Sequence, residues 1–180
     1  MKRKLLLAAL CVVGALGMRA QSWTASEVAA GDFYLYNVGA GKFLGAGNNW
    51  GTRASVLENG ALKVTLIGSE STYKISTDSE YQGKQLGSNG YVDNGDADVS
   101  WTFTEVSTGV YTLSCSAGYL VRDANATTTS FVADAPTTEN GYWKLATKDN
   151  LVAVATAESP VDATFLITTP NFDRNAGGRG

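Results

Sequence analysis

The chain has 180 residues, with 14 Lys and Arg against 17 Asp and Glu, 20 Gly, two Cys and no His. Without histidine, neither a Ser-His-Asp nor a Cys-His catalytic arrangement can be assembled. An acidic chain with no basic run beyond Lys2-Arg3-Lys4 at its start gives nucleic-acid binding no electrostatic footing.

The first twenty residues read as a cleavable export signal. Lys2, Arg3 and Lys4 form a charged start, an uncharged apolar run follows from Leu5 to Leu16, and Met18-Arg19-Ala20 offers a small-residue cleavage site before Gln21. That run is shorter than the roughly 20 residues a helix needs to cross a bilayer, and no later stretch approaches this length. The expectation is an exported protein of bacterial type, secreted, periplasmic or held at the cell surface, whose mature chain does not insert into a membrane. Cys11 sits mid-run behind Leu10, where a lipidation site would need a small residue. Lys2, Arg3, Lys4 and Arg19 leave with the signal, so ten basic residues face 17 acidic ones and the formal charge becomes −7. One cysteine remains, Cys115, which excludes an internal disulfide and reads as a small apolar core residue. The remaining length suits one domain held together by packing.

Residues 21–30 are expected to be an N-terminal linker, and strand signals begin at Gly31. Phe33-Tyr34-Leu35-Tyr36, Leu62-Lys63-Val64-Thr65-Leu66 and Val99-Ser100-Trp101-Thr102-Phe103 place a large apolar residue at every second position, so one face of each strand is buried. Asn59-Gly60, Asn89-Gly90, Asn94-Gly95 and Asn140-Gly141 are hairpin punctuation between such stretches.

One unit recurs three times. Phe33-x-Leu35-x-Asn37 returns as Tyr73-x-Ile75-x-Thr77 and as Tyr111-x-Leu113-x-Cys115. Gly41-Lys42-Phe43-Leu44 matches Gly83-Lys84-Gln85-Leu86 and, more loosely, Ala117-Gly118-Tyr119-Leu120. Each unit closes on two large apolar residues spaced by one: Val64 and Leu66, Trp101 and Phe103, Trp143 and Leu145. A third strand shows in Ala54-Ser55-Val56 and Ser130-Phe131-Val132, and none can be placed in the middle copy. About four short strands cannot bury an apolar face alone, so three copies must share one core, and closing them around an axis removes exposed sheet edges.

This pattern resembles the β-trefoil family, and within it the ricin-type lectin domain, whose units end in a Gln-x-Trp strand. Trp101 and Trp143 hold the Trp position. Val99 and Gly141 stand where Gln would be, and the first copy has Leu62 and Val64. The stretch from Phe33 to Leu44 is also similar to the opening of trefoil domains in secreted and surface proteins of gut-type bacteria. The expected fold is therefore an all-β trefoil of three pseudo-repeats over residues 31–147, preceded by the signal peptide and followed over 148–180 by a short helix and an extended tail. Thr147 is placed to cap that helix through Leu151 to Ala155, which Pro160 stops. The resemblance implies that this tail leads to a further, adjoining C-terminal module.

Catalytic groups, cofactors and metals are not expected. Asp93, Asp96 and Asp98 lack the order and the distal Glu of a calcium loop and read as an acidic turn. Gly39-x-Gly41 and Gly45-x-Gly47 precede no helix and read as turn glycines. Binding remains. Sugar sites need an aromatic face for the ring and planar amides or carboxylates for its hydroxyl groups. In ricin-type domains these follow the second strand of a unit, which here implies Asn48, Asn49, Trp50 and Arg53 in the first copy. The second copy offers Tyr91, Asp93 and Asn94 beside Asn89, and the third has Arg122, Asp123 and Asn125 without an aromatic. The implied partner is a glycan or polysaccharide. The bland alternative has Trp50 packed over its own hairpin and the asparagines making turns, in a trefoil that acts as a structural spacer or protein-interaction module.

Overall fold

The computed structural model describes residues 23–47, 49–58, 60–79, 84–93 and 99–151, and places ten strands among them. These are β1 (Gly31–Asn37), β2 (Lys42–Gly47), β3 (Arg53–Leu57), β4 (Lys63–Ser69), β5 (Thr72–Thr77), β6 (Trp101–Ser107), β7 (Val110–Cys115), β8 (Gly118–Arg122), β9 (Thr129–Val132) and β10 (Trp143–Ala146). The signal peptide, the tail beyond Leu151, Asn48 and the acidic turn from Asn94 to Asp98 lie outside the described residues.

The strands close into a β-trefoil. β1 pairs with β4, β4 with β5, β5 with β6, β6 with β7, β7 with β10, and β10 returns to β1, all antiparallel. This six-stranded ring leaves no barrel edge unpaired. The hairpins β2–β3 and β8–β9 cap one end. In the middle unit the described residues of the corresponding hairpin form no strand: Gln85 makes an isolated bridge to Ser76 of β5 and Tyr91 one to Arg53 of the first unit, which is why no third strand can be read there from sequence.

The strand register repeats with the units. Within units, Phe33 faces Val64, Tyr73 faces Trp101 and Tyr111 faces Trp143. Between units, Leu66 faces Ile75, Phe103 faces Leu113 and Leu145 faces Leu35. Leu35, Ile75 and Leu113 fall in a single core cluster together with Leu44, Leu86 and Leu120. Trp101 and Trp143 are fully buried, and each indole donates a hydrogen bond to the carbonyl of the second-strand leucine of its own unit: Trp101 Nε1 to Leu86 at 3.0 Å, Trp143 Nε1 to Leu120 at 3.0 Å. The first unit has Val64 in that place, and there the backbone N–H of Leu62 donates to the Leu44 carbonyl at 2.8 Å. The same buried acceptor is satisfied in all three units by two different donors, as an interior carbonyl must be.

A second cluster lies outside the barrel. Strand alternation would leave Tyr36 facing solvent, but it is buried together with Phe43, Ala146 and Leu151. Residues 23–30, expected as a linker, contribute to this cover. Ser26 N donates to Leu145 O at 2.9 Å, Trp23 meets Tyr36 edge-on at 5.5 Å between ring centroids, and Lys144 lies 5.6 Å over the Trp23 ring. At the other end, Leu151 N donates to Thr147 O at 3.1 Å and Asn150 N reaches Thr147 Oγ1 at 3.4 Å, which starts the helix at the predicted cap. Helical residues are described from Lys148 to Leu151, and the rest of the expected helix lies outside the described residues.

The glycine reading needs one correction. Gly39 and Gly41 sit in the β1–β2 turn, Gly41 at φ +66°, but Gly45 and Gly47 lie within β2. At Gly45 the constraint is close approach, since a Cβ there would collide with the Gly60 carbonyl oxygen. Cys115 is half-buried against the core rather than enclosed by it, and desolvation pushes its thiol pKa up.

On the outer face of β1 and β4, Asp32 accepts a hydrogen bond from Thr65 Oγ1 at 2.6 Å and pairs with Lys63 at 3.3 Å. The Thr65 hydroxyl, followed by Lys63, holds the Asp32 carboxyl below its ordinary value. An acid whose pKa is lowered on folding adds stability above its unfolded value and loses it as pH falls through the folded one. Thr65→Val is therefore expected to move the Asp32 titration upward in NMR-detected pH titration and to lessen the acid-side fall of stability that Asp32 causes.

Candidate functional site

The loop between β2 and β3 presents Trp50. Asn49–Gly51 form a single tight turn in which Trp50 takes φ 68°, ψ 16° and Gly51 takes φ 75°. Two successive left-handed residues are the geometry of a primed turn, where the first position ordinarily goes to Asn, Asp or Gly. A bulky residue there is an outlier. The side chain is nonetheless turned to solvent: Trp50 is 93% exposed. It does not lie over its own hairpin.

The base of this loop is fixed by the second unit. Ala54 N donates to Gly90 O at 2.9 Å and Val92 N donates to Thr52 O at 2.9 Å, so Gly90 to Val92 runs alongside Thr52 to Ala54. The 87–91 loop closes on itself: Gly87 N donates to Tyr91 O at 2.8 Å and Tyr91 N to Asn89 Oδ1 at 3.0 Å. Val92 is fully buried, and its carbonyl accepts from Thr77 Oγ1 at 2.7 Å. Asp93, the next residue, is half-buried at the edge of this strip.

Arg53 spans three units. Its Nη1 donates to Asn89 O at 3.0 Å in the second unit, and its Nη2 donates to Thr129 O at 2.7 Å in the third. Its guanidinium carbon lies 5.2 Å over the Tyr91 ring. Gly90 makes room for it, since a Cβ there would stand 2.9 Å from Nη1. The neighbouring main chain is tied in the same way, with Thr129 Oγ1 donating to Ala54 O at 2.8 Å and Val56 N to Thr127 O at 2.6 Å.

The structure thus brings Trp50, Arg53, Tyr91 and Asp93 to one end of the cap, on adjoining strips of the first two units. Asn49 lies in the turn, with no description of its side chain, and Asn48 and Asn94 fall outside the described residues. The third unit differs. Arg122 Nε donates to Ala126 O at 3.0 Å and its Nη1 to Asn140 Oδ1 at 3.3 Å, while Asp123 accepts from Thr128 Oγ1 at 2.6 Å and from Ser130 Oγ. Those polar groups are spent on their own loop and on Asn140. Sequence reasoning missed Gly90 and Thr129 as partners of Arg53, because the contacts are to main chain or depend on a missing Cβ and leave no mark in residue type. Among the described residues, no group of three His, Cys, Asp or Glu side chains stands close enough to hold a metal ion.

No known protein family matches the chain, and no curated protein matches it either. Solved structures do. A salivary protein from Culex quiquefasciatus of the Cysteine and Tryptophan-Rich (CWRC) family is similar with a TM-score of 0.53 at 13% identity, over 68% of this chain and 97% of that one. ThreeFoil, a designed 3-fold symmetric protein, is similar with a TM-score of 0.45 at 16% identity, over 64% of this chain and 98% of that one. At 13% identity the likeness to the salivary protein speaks for fold alone.

Proposed function

We propose that this chain is a non-catalytic, carbohydrate-binding trefoil domain of an exported bacterial protein, of the ricin-type lectin-like kind, acting to hold a glycan for an adjoining C-terminal module. The observation that carries this reading is Trp50: a bulky aromatic kept in a left-handed turn, 93% exposed, on a loop whose base is hydrogen-bonded to the neighbouring unit. Backbone strain retained at an exposed side chain is a mark of functional positions. A flat apolar face held out from the surface suits the apolar side of a sugar ring, and the half-buried Asp93 lies on the strip of the second unit that pairs with the base of the loop. The signal sequence and the acidic mature charge fit an exported domain with an uncharged ligand. Catalysis is left out because the chain has no histidine and its half-buried thiol is pushed away from ionisation.

The test is a glycan array with the mature domain, followed by Trp50→Ala. Specific binding that weakens at least about tenfold in the variant is expected, in line with loss of one aromatic anchor. Equal binding by the variant, or none by the parent to any glycan, counts against the reading and favours a spacer or protein-interaction trefoil.

A further inference from the structure

We propose that the molecule carries one docking platform rather than one per unit, built jointly by the first and second units, with Arg53 as the positioning residue that holds the two halves in register. What docks there rests on the glycan-binding reading, whereas the geometry does not.

Two observations carry this. The first is where the hydrogen bonds run. The Trp50 turn belongs to the first unit, yet the strand that anchors it, Thr52 to Ala54, is paired with Gly90 to Val92 of the second. Trp50 and Tyr91 therefore depend on one another's backbone for their placement, and neither unit alone fixes a site. The second is what Arg53 does with its guanidinium. Both terminal nitrogens point to main-chain carbonyls, those of Asn89 and Thr129, and its flat face covers Tyr91. Only a planar fork can donate in two directions while stacking on a ring. These contacts direct the charge inward, so Arg53 acts on a ligand through Tyr91 and the Trp50 loop. The third unit cannot supply a second platform of this kind, because Arg122 is engaged by its own loop and by Asn140, Asp123 is engaged within that loop, and Ala124, Asn125, Ala126 and Thr127 offer no ring.

The experiment uses the mature protein in two arms. In the ligand-free arm, 15N relaxation reports the Trp50 amide and indole N–H in the parent, Arg53→Met, Arg53→Lys, Tyr91→Leu and a control, Arg122→Met, all below their melting transitions. Arg53→Met and Tyr91→Leu are expected to loosen Trp50, Arg53→Lys to loosen it less, and Arg122→Met to leave it unchanged. In the binding arm, the saccharide that scores highest on the array is titrated calorimetrically. One saccharide per chain is expected, with affinity at least about tenfold weaker in Arg53→Met and in Tyr91→Leu. Trp50 relaxation unaltered by both Arg53→Met and Tyr91→Leu overturns the proposal, as does a stoichiometry of two or three. Binding lost in Trp50→Ala but kept in Tyr91→Leu overturns it while leaving the glycan reading intact. If no saccharide binds, that reading falls and the relaxation arm alone decides on the platform. Should Arg53→Met fail to fold, Tyr91→Leu, which leaves every backbone bond in place, carries the test.

Discussion

Trp143→Val is expected to destabilise the domain by about 3–5 kcal/mol, the usual range for truncating a buried tryptophan. The substitution installs at the third unit the residue that the first unit carries at the equivalent position, Val64. It is harmless there and harmful here for a specific reason. In the first unit the Leu62 N–H satisfies the Leu44 carbonyl. In the third, the Leu120 carbonyl depends on the Trp143 indole, so the variant leaves both a cavity and a buried acceptor without its donor. For a domain of this size the loss corresponds to a fall in melting temperature of roughly 10–20 °C. Urea unfolding followed by circular dichroism measures it. A cost below about 1 kcal/mol would mean that the indole is not buried as described.

Leu35→Ala, Ile75→Ala and Leu113→Ala are each expected to cost about 2–5 kcal/mol, and to cost similar amounts. All three side chains are buried to 1% exposure or less, and each faces the closing residue of a neighbouring unit, Leu145, Leu66 and Phe103. Because they belong to one cluster, pairs of these substitutions should depart from additivity by more than the roughly 0.5 kcal/mol seen for distant sites. Three unrelated values, or strict additivity, would mean three separate interiors. The same equilibrium unfolding curves supply the answer.

The barrel was legible because its signals are local and repeated. Strand alternation around Leu35, Ile75 and Leu113 has a period of two, and the step between units is nearly constant, so residues facing each other across the ring occupy equivalent places in the sequence. Less was legible where structure depends on backbone partners. Among the described residues the middle hairpin takes part in two isolated bridges to neighbouring strands and in no strand of its own, and no run of apolar residues marks it. Tyr36 breaks the alternation because Trp23 and Leu151, from opposite ends of the described chain, cover the outer face of β1. Such cover depends on where the chain enters and leaves, which composition does not encode.

The candidate site divides in the same way. The sequence points to Trp50 by chemistry, as the aromatic beside asparagines after a second strand, and the structure places it fully in view. Arg53 stands in the sequence as one more polar residue of the first copy's candidate set, and in the structure its guanidinium reaches across two other units. Nothing in residue spacing distinguishes an arginine that meets a ligand from one that meets carbonyls of distant loops. The left-handed backbone at Trp50 is equally invisible to composition, although the adjacent Gly51 is compatible with it.

Closure of the ring by its first and last strands is the feature from which the shared interior and the single cap follow. A 15N-edited and 13C-edited NOESY spectrum of the mature domain observes it directly, through cross-strand contacts of Tyr34 with Ala146, Leu35 with Leu145 and Tyr36 with Lys144. Those contacts should be present together with the Phe33–Val64 contact on the other side of β1. A spectrum in which β1 touches β4 but not β10 would describe an open sheet and contradict the closed three-unit barrel.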